Sequence, residues 1–477
     1  MFEYSSCYYT KFYRFGQELR LKIRVFWGSF SALMKKKTAK SSLATRPSLE
    51  LLLPAGDMDK LKFALAYGAN AIYMGVGPFS MRSRFNNFDE KTFLEGAKMV
   101  REAKGPKGAG IKLYVTVNIY IRNNKVEAFK KHLKFLRDKV KPDALIIADP
   151  GVIQIVKEVY PEAVLHLSVQ ANALNYKAVE FWRNQGVVRV ILPRELMLEE
   201  IAEIHSKVPD VELEAFVHGA ICVAYSGRCL LSAYMTGRDA NQGICAHSCR
   251  WKYKVYSGSD EFFLEEEQRP GEFMPIEEDD HGTYIMNSKD NCLIEHLEVL
   301  CDAGICSFKI EGRNKTEYYL AIVGKAYRKA VDDLEAGRKF DCGLLDELEK
   351  ISNRGYIPGF IKGFPGEDNV SSDRSSPDSK CRFVGIVRET SANGQADLYR
   401  IEVRNRVEVG DEVEVVVPLG GEAKAGGLVK ISEMLSLGGK KVGVAHGGDK
   451  DVYFRLKKGI TEMALLRIEA RSGLMGI

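Results

Sequence analysis

The segment LELLLPAGDMDKLKFALAYGANAIYMG, residues 49–75, decides the fold that we predict for this chain. Its first apolar run, 49–56, is followed by a stretch, 57–67, in which apolar residues recur at helical spacing. A second apolar run, 70–75, then begins. Two short buried strands joined by a helix are typical of a parallel sheet.

The same alternation continues along the chain. Further β-type runs lie at 112–118, 143–149, 163–170, 188–195, 213–219 and 306–312. Helical patterns lie at 126–139, 176–185, 198–207, 317–337 and 344–352. The total of eight β-type runs favours a (β/α)8 TIM-like barrel. The alternative is an open α/β sheet, but no Gly-x-Gly-x-x-Gly follows the first run, which disfavours a dinucleotide-binding version.

Charge is distributed unevenly between the start of the chain and the rest. The net charge of the whole chain is +5, yet residues 1–47 carry ten Lys and Arg against two Glu, so the remainder has a net charge of −3. The folded body is therefore not a nucleic-acid binder by bulk charge, and any RNA contact must come from a local patch. We expect the basic leader to be disordered, or not translated if Met34 is the start.

Composition and periodicity give the domain boundaries. We assign the barrel to residues 48–340, with a cysteine-rich insertion at 219–292. A helical segment and a polar linker follow at 341–380. The period then changes to two at 381–477, which predicts a small C-terminal all-β domain, barrel-like in form. No apolar run is long enough to predict a membrane span.

Polar residues follow the predicted barrel strands. In this fold the reactive groups lie at the carboxyl ends of the strands and in the loops after them. The candidate catalytic residues are therefore Asn118, Gln170, His218 and Glu311. A guanidinium group matches the geometry of a carboxylate or a phosphate. The candidates for binding an anionic substrate are Arg82, Arg84, Arg194 and Arg313.

Four of the ten cysteines lie close together, at Cys222, Cys229, Cys245 and Cys249. Clustered thiols in a chain without a secretion signal indicate a metal site rather than disulfide bonds. The spacing leaves an iron–sulfur cluster and zinc both open, because only the last two cysteines approach a zinc knuckle. Unliganded or catalytic thiols are the third alternative, and Cys292 is a candidate substitute ligand.

A hydrolase is the alternative from a different class. Cys229 or Ser226 would be the nucleophile, with His218 or His247 as the base. The sequence has no His-Glu-x-x-His and no Gly-x-Ser-x-Gly. A nucleophile also does not require three neighbouring cysteines, so the residues themselves disfavour a peptidase.

Several long motifs resemble a known family. They include HLSVQANALN (166–175), EAFVHGAICVAYSGRCLLSAY (214–234), RDANQGICAHSCRWKY (238–253) and FKIEGRNKTEYYLAIVGKAYRKAVDD (308–333). These motifs resemble the collagenase-like peptidase family, and within it the tRNA hydroxylation branch. The resemblance extends over about residues 48–470.

The resemblance implies a function and its cofactors. It implies a cytoplasmic enzyme that forms 5-hydroxyuridine at the wobble position of tRNA, with prephenate as the oxygen-donor co-substrate. It also implies a 4Fe–4S iron–sulfur cluster, rather than zinc, on Cys222, Cys229, Cys245 and Cys249. The expected partners are tRNA and either a paralogous protein or an electron donor. An organelle location, with residues 1–33 as the targeting segment, is disfavoured.

Two other functions remain open at this point. One is a collagenase-like peptidase that uses Cys/His chemistry. The other is a non-catalytic RNA-binding or electron-transfer partner, whose loss would leave tRNA modification intact.

Overall fold

The computed structural model describes most of the chain from residue 48 onward. The described residues are 48–81, 88–220, 252–253, 262–265, 273–279, 282–284, 289–363, 379–390, 394–395, 397–420 and 427–469. The predicted leader, 1–47, lies outside them.

Strands and helices alternate in the first part of the fold. The strands are β1 (Glu50–Pro54), β2 (Ala71–Met74), β3 (Lys112–Thr116), β4 (Ala144–Ile147), β5 (Leu165–Leu167), β6 (Val187–Ile191) and β7 (Glu212–Ala220). The helices are α1 (Met58–Ala66), α2 (Glu90–Glu102), α3 (Val126–Phe135), α4 (Pro150–Val159), α5 (Tyr176–Asn184) and α6 (Leu198–Lys207). Neighbouring strands pair in parallel from β1 to β7.

Short polar side chains begin several of these helices immediately after a strand or loop. Asp57 accepts a hydrogen bond from the Lys60 N–H at 2.9 Å and so caps α1. Asn175 caps α5 in the same way. These side chains satisfy N–H groups that have no partner within the helix. They therefore fix the point at which each strand-to-helix loop ends.

A long excursion separates β7 from the last barrel strand. It contains β8 (Lys252–Tyr253), β9 (Phe262–Glu265), β10 (Phe273–Asp279) and β11 (Gly282–Tyr284), which form an antiparallel sheet. It then continues through β12 (Asp290–Cys292) and α7 (Leu297–Asp302) to β13 (Ile305–Ile310). β12 pairs antiparallel with the end of β7, so that Cys292 lies opposite His218.

β13 closes the barrel. It pairs in parallel with β1 on one side and β7 on the other, with Ser307 in register with both Glu50 and Glu214. Eight parallel strands, β1–β7 and β13, thus form a closed TIM-like barrel surrounded by helices, as predicted from the sequence.

Alternate residues of each strand face opposite sides of the barrel wall. Leu51 and Leu53 of β1 pack into the large core between the strands and the helices. Leu52, between them, belongs instead to the smaller cluster inside the barrel, together with Tyr73 and Phe216. The interior is therefore filled by side chains, and in this fold ligands bind at the carboxyl-terminal end of the strands.

The C-terminal part of the chain is helical and then antiparallel. α8 (Glu317–Glu335), α9 (Gly343–Glu349) and β14 (Tyr356–Ile357) follow the barrel. The next strands are β15 (Cys381–Glu389), β16 (Leu398–Val403), β17 (Val407–Glu408), β18 (Glu412–Val416), β19 (Gly427–Lys430), β20 (Glu433–Ser436), β21 (Val444–Ala445), β22 (Val452–Arg455) and β23 (Leu465–Glu469). A seven-stranded sheet and the β17–β21 pair form the all-β domain that the period of two predicts.

Polar contacts join the β domain to the barrel and to the helical segment that follows the barrel. The Tyr67 hydroxyl donates to the Met463 carbonyl at 2.8 Å. The buried guanidinium group of Arg467 binds Glu347 of α9 and Glu414 of β18. Among the residues that the structure describes, no helix has the length and apolar character needed to span a membrane.

Candidate functional site

A cavity of about 100 Å³ opens at the carboxyl-terminal end of the barrel. Its apolar surface comes from residues that point into the barrel, such as Tyr73, Ile146, Ile191 and Phe216. Its polar lining includes five residues that the sequence predicted as site residues, namely Asn118, Gln170, Arg194, Glu311 and Arg313. The strand ends of the barrel therefore bring these five side chains together.

Arg313 lies just after β13 and forms hydrogen bonds that connect the elements of the cavity wall. Its guanidinium group is buried and donates to the Ser80 hydroxyl at 2.8 Å and to the Thr116 hydroxyl at 3.2 Å. It also donates to the Met81 carbonyl. The loop after β2 is thereby held against the end of β3. Gly75 makes room for this arrangement, because a Cβ atom there would lie 2.3 Å from the Ser80 hydroxyl oxygen.

Asn118 joins two neighbouring loops. Its side-chain oxygen accepts from the Met81 N–H at 3.0 Å, and its side-chain nitrogen donates to the Ser168 hydroxyl at 3.1 Å. Both ends of this amide are therefore occupied by the protein. The geometry gives Asn118 a positioning role at the cavity wall, and its catalytic role stays a prediction.

Gln170 lies in the 3₁₀ turn Val169–Ala171 that follows β5. Its side chain is 2 % exposed and lines the cavity. Neither the oxygen nor the nitrogen of its carboxamide has a hydrogen-bond partner among the described residues. Buried polar atoms in native proteins nearly always have partners, and exceptions often mark functional positions.

Cationic side chains surround the apolar part of the cavity. The guanidinium carbon of Arg194 lies 4.0 Å from the centre of the Phe216 ring. The Lys309 ammonium group lies 4.4 Å from the centre of the Tyr73 ring and 2.7 Å from a carboxylate oxygen of Glu214. Burial lowers the pKa of Lys309, and Glu214 opposes this shift. Lys309 was not among the candidates predicted from the sequence, although a lysine within an apolar strand indicates a buried charge at a site.

His218 is the one predicted catalytic residue of the described part that does not line the cavity. A register irregularity in β7 lies between Phe216 and His218, and it turns the imidazole to the outer side of the barrel wall. There the imidazole packs against Tyr319, Tyr327 and Tyr356. Burial lowers the pKa of His218 to about 3. The structure thus does not bring His218 to the cavity with the other candidates, and its catalytic role stays a prediction.

Cys292 lies beside His218 and is also buried. Its sulfur is 3.8 Å from the Tyr327 hydroxyl, and burial raises the pKa of this thiol to about 11. A cysteine nucleophile needs the opposite conditions, a lowered thiol pKa and a base that titrates near neutral pH. This described Cys/His neighbourhood therefore does not support the peptidase alternative. Ser226, Cys229 and His247 lie outside the described residues.

The predicted metal ligands also fall outside the described part of the chain. They are Cys222, Cys229, Cys245 and Cys249, and the same holds for the predicted substrate-binding residues Arg82 and Arg84. Within the described ranges, no group of three or more His, Cys, Asp or Glu side chains has the geometry to hold a metal ion. By the chemistry of its donors, a set of four thiols fits an iron–sulfur cluster.

The loop that carries Ser80 and Met81 rests on a histidine. The His132 ring of α3 lies 5.2 Å from the Phe79 ring, and burial lowers the pKa of His132 to about 4. Protonation therefore costs more in the folded state than in the unfolded state, whose histidine pKa is about 6.5. The resulting stability is present above pH of about 6.5 and is lost as the pH falls towards 4.

We expect His132→Phe to reduce the loss of stability on acidification. The wild-type chain should lose about 1–3 kcal/mol more than the variant between about pH 7.5 and about pH 4.5, a range discounted because His132 is partly exposed. Urea unfolding at the two pH values measures this difference. His446→Phe is the matched control, because His446 is exposed. Equal pH dependence of the wild type and His132→Phe would contradict the assignment.

Two family profiles match this chain, one over the barrel and one over the β domain. The profile of Peptidase family U32 matches residues 56–371, and the profile of the Peptidase family U32 C-terminal domain matches residues 379–467. The tRNA hydroxylation protein P of Escherichia coli (strain K12) is 44% identical over 402 residues, which cover 78% of this chain and 86% of that protein.

Two further relatives belong to the same comparison. The tRNA hydroxylation protein P of Haemophilus influenzae (strain ATCC 51907 / DSM 11121 / KW20 / Rd) is 40% identical over 452 residues, which cover 88% of this chain and 95% of that protein. The 23S rRNA 5-hydroxycytidine synthase of Escherichia coli (strain K12) is 34% identical over 378 residues, which cover 77% of this chain and 52% of that protein.

Proposed function

The chain belongs to peptidase family U32, and we propose that it is a tRNA hydroxylase that forms 5-hydroxyuridine at the wobble position. Two relatives that are 40–44% identical over most of their length are named for tRNA hydroxylation. A more distant relative is named for hydroxylation of a pyrimidine of ribosomal RNA. Hydroxylation of an RNA pyrimidine is therefore the chemistry common to these names.

The observation that carries the proposal is the cavity at the barrel end. It has an apolar interior, a buried amide with open hydrogen-bonding atoms, and the cations Arg194, Lys309 and Arg313 in its lining. An unstacked base of a single-stranded RNA loop can enter such a cavity, because loop bases are accessible in a way that paired bases are not. Of these three cations, Lys309 and Arg313 are committed to protein partners, so the half-buried Arg194 is the one that suits an anionic group of a substrate.

The reaction replaces the hydrogen on C5 of uracil by a hydroxyl group. This change is a two-electron oxidation of the base, so a second compound must supply the oxygen and accept the electrons. We propose prephenate, a dicarboxylate that also carries a hydroxyl group, in that role. Its C–O bond to that hydroxyl would break as the C5–O bond forms, and the hydrogen displaced from C5 would replace the hydroxyl group on prephenate. The guanidinium group of Arg194 matches one of its carboxylates. The residues of the cavity would hold the base in a fixed orientation for the reaction and exclude water.

We further propose that Cys222, Cys229, Cys245 and Cys249 hold an iron–sulfur cluster. Thiolate ligands of this number are those that such clusters take, and a cluster supplies electron-transfer chemistry or a Lewis acid when it is bound. Cys292 is the candidate substitute. Its buried thiol would first have to leave Tyr327 and lose its proton.

The test uses a bacterial strain that lacks its own tRNA hydroxylation proteins. Mass spectrometry of tRNA nucleosides should show 5-hydroxyuridine or nucleosides derived from it only when this chain is supplied. Without prephenate synthesis in the same strain, the product should disappear. Unchanged nucleosides on addition of the chain would contradict the proposed function and favour a non-catalytic partner.

We expect Cys222→Ala or Cys229→Ala to abolish the hydroxylated product and to remove iron and sulfide from anaerobically purified protein. Cys342→Ala is the control, because Cys342 is an exposed thiol away from the cavity. Stoichiometric zinc in place of iron, with full activity, would contradict the cluster. Full product with either substitution would contradict a role of these cysteines in the reaction.

A further inference from the structure

We propose that Gln170 recognises the target base by pairing with its Watson–Crick edge. The side-chain oxygen would accept from the N3–H of uracil, and the side-chain nitrogen would donate to the adjacent carbonyl oxygen of the ring. This inference rests on the proposed function and deepens it, because it assigns to one side chain the selection of a base with neighbouring N–H and C=O groups.

The hydrogen-bonding state of Gln170 is the first argument. The side chain is 2 % exposed, and both atoms of its carboxamide lack a partner among the described residues. An amide left in this state costs free energy unless a ligand or water satisfies it. The other amide of the cavity, Asn118, is already paired at both ends with Met81 and Ser168. Gln170 is therefore the amide of the two that remains open to a ligand.

The second argument is that hydrogen bonds fix the backbone of Gln170. Ser168 caps the turn by accepting from the Gln170 N–H, and the Tyr120 hydroxyl donates to the Gln170 carbonyl at 3.0 Å. Asn172 ends the turn in the left-handed region, with φ of 54°. The backbone of Gln170 is thus fixed by the fold itself. A side chain on a fixed backbone is suited to reading hydrogen-bond geometry.

The size of the cavity is the third argument. One water molecule occupies about 10–15 Å³ of cavity volume. A cavity of about 100 Å³ therefore has room for about seven to ten water molecules. A uracil ring with its two carbonyl oxygens has about eight non-hydrogen atoms. The rings of Tyr73 and Phe216 supply flat apolar surface in the lining. One pyrimidine therefore fits this space in the described part of the site.

The test measures binding of RNA stem-loops that represent a tRNA anticodon arm. One stem-loop carries uridine at the wobble position, and the other carries 3-methyluridine, which lacks the N3–H. A bidentate contact between an amide and a base gives about 5- to 150-fold discrimination. The full-length wild-type chain should prefer uridine by this factor. Gln170→Leu should bind both stem-loops with the affinity that the wild type has for the methylated one.

Two further variants separate recognition from folding. Gln170→Glu keeps the oxygen that accepts from N3–H but loses the donor to the ring carbonyl. It should therefore bind uridine less tightly than the wild type does and still prefer uridine to 3-methyluridine. Gln154→Leu makes the same change as Gln170→Leu at an exposed position of α4 and should keep the preference. Gln170→Leu should unfold at a temperature no lower than the wild type, because it removes buried polar atoms without partners. A residue with a purely structural role would lower that temperature.

The outcomes separate this inference from the proposed function. If the wild type restores 5-hydroxyuridine in cells but binds both stem-loops equally, Gln170 does not read the base and the function stands. The same conclusion follows if Gln170→Leu keeps both the preference and the product. If the wild type restores no hydroxylated nucleoside, the proposed function fails, and the inference fails with it.

Discussion

Replacing Glu214 by leucine is expected to lower the free energy of unfolding by about 3–5 kcal/mol, because it leaves a buried ammonium group without its carboxylate. Glu214 is fully buried inside the barrel. One of its oxygens lies 2.7 Å from the Lys309 nitrogen, and the other lies 3.3 Å from a nitrogen of Arg189. Against a typical total stability of about 5–15 kcal/mol, this loss endangers the fold.

The rest of the network cannot compensate for the missing carboxylate. Arg189 already binds Glu50 at 2.5 Å and Glu212 at 2.7 Å. Burial by itself raises the pKa of Glu50, but Arg189 and hydrogen bonds from Tyr114 and Ser307 hold that pKa below its ordinary value. Glu50 is therefore a charged partner committed to Arg189, and no second carboxylate in this group contacts Lys309 within ion-pair distance.

Urea unfolding of three variants tests this account. Glu212→Gln is the control, since the Glu212 side chain is 55% exposed and an exposed ion pair contributes no more than about 1 kcal/mol. The double variant Glu214→Leu/Lys309→Met removes both charges together and should recover most of the lost stability. If Glu214→Leu lowers the free energy of unfolding no more than Glu212→Gln does, the Glu214–Lys309 pair is not needed for folding.

The barrel itself could be predicted because its signal is local. Each predicted β-type run overlaps an observed barrel strand, since a buried parallel strand needs a short apolar run and the next helix begins at a capping residue. The predicted ends of the strands agree less well with the structure. The run predicted at 188–195 extends beyond β6, which ends at Ile191, because Leu192 and Pro193 continue the apolar pattern into the loop.

Other features depend on contacts between distant parts of the chain, and a local pattern does not contain them. β12 has only three residues, Asp290–Cys292, and its sequence has no strand-like period. It forms because the end of β7 offers a free edge there. The ion pairs inside the barrel likewise join β1, β6, β7 and β13, so their charges are visible in the sequence and their partners are not.

The candidate site was predictable in its location but not in the orientation of each side chain. The carboxyl ends of barrel strands must converge, which brought Gln170, Arg194 and Arg313 to one cavity. Asn118 also lines the cavity, but both ends of its amide are hydrogen-bonded to neighbouring loops. His218 was selected because it lies at the carboxyl end of the run predicted at 213–219, and the register irregularity beside it turns its side chain to the outer side of the wall.

Replacing Arg313 by leucine is expected to lower the yield of hydroxylated uridine by about 100-fold. Its guanidinium group donates to the hydroxyls of Ser80 and Thr116 and to the carbonyl of Met81. Loss of these bonds releases the loop after β2 from the cavity wall. A displacement of about 1 Å at a reacting group can cost about 100-fold in rate. The prediction rests on the proposed function.

Stability must be measured together with activity, because leucine also leaves the three acceptors without this donor. That loss should cost about 1–3 kcal/mol, which is too little to unfold most of the protein. Arg313→Lys should recover little activity, since one ammonium group cannot reproduce the planar fork that reaches all three acceptors. Arg183→Leu is the matched control, because Arg183 lies on the outer helix α5 and pairs with the exposed Asp210. Nucleoside mass spectrometry and thermal unfolding of the same preparations decide the matter. A folded Arg313→Leu protein that gives the full wild-type yield would show that the cavity wall does not need this arginine.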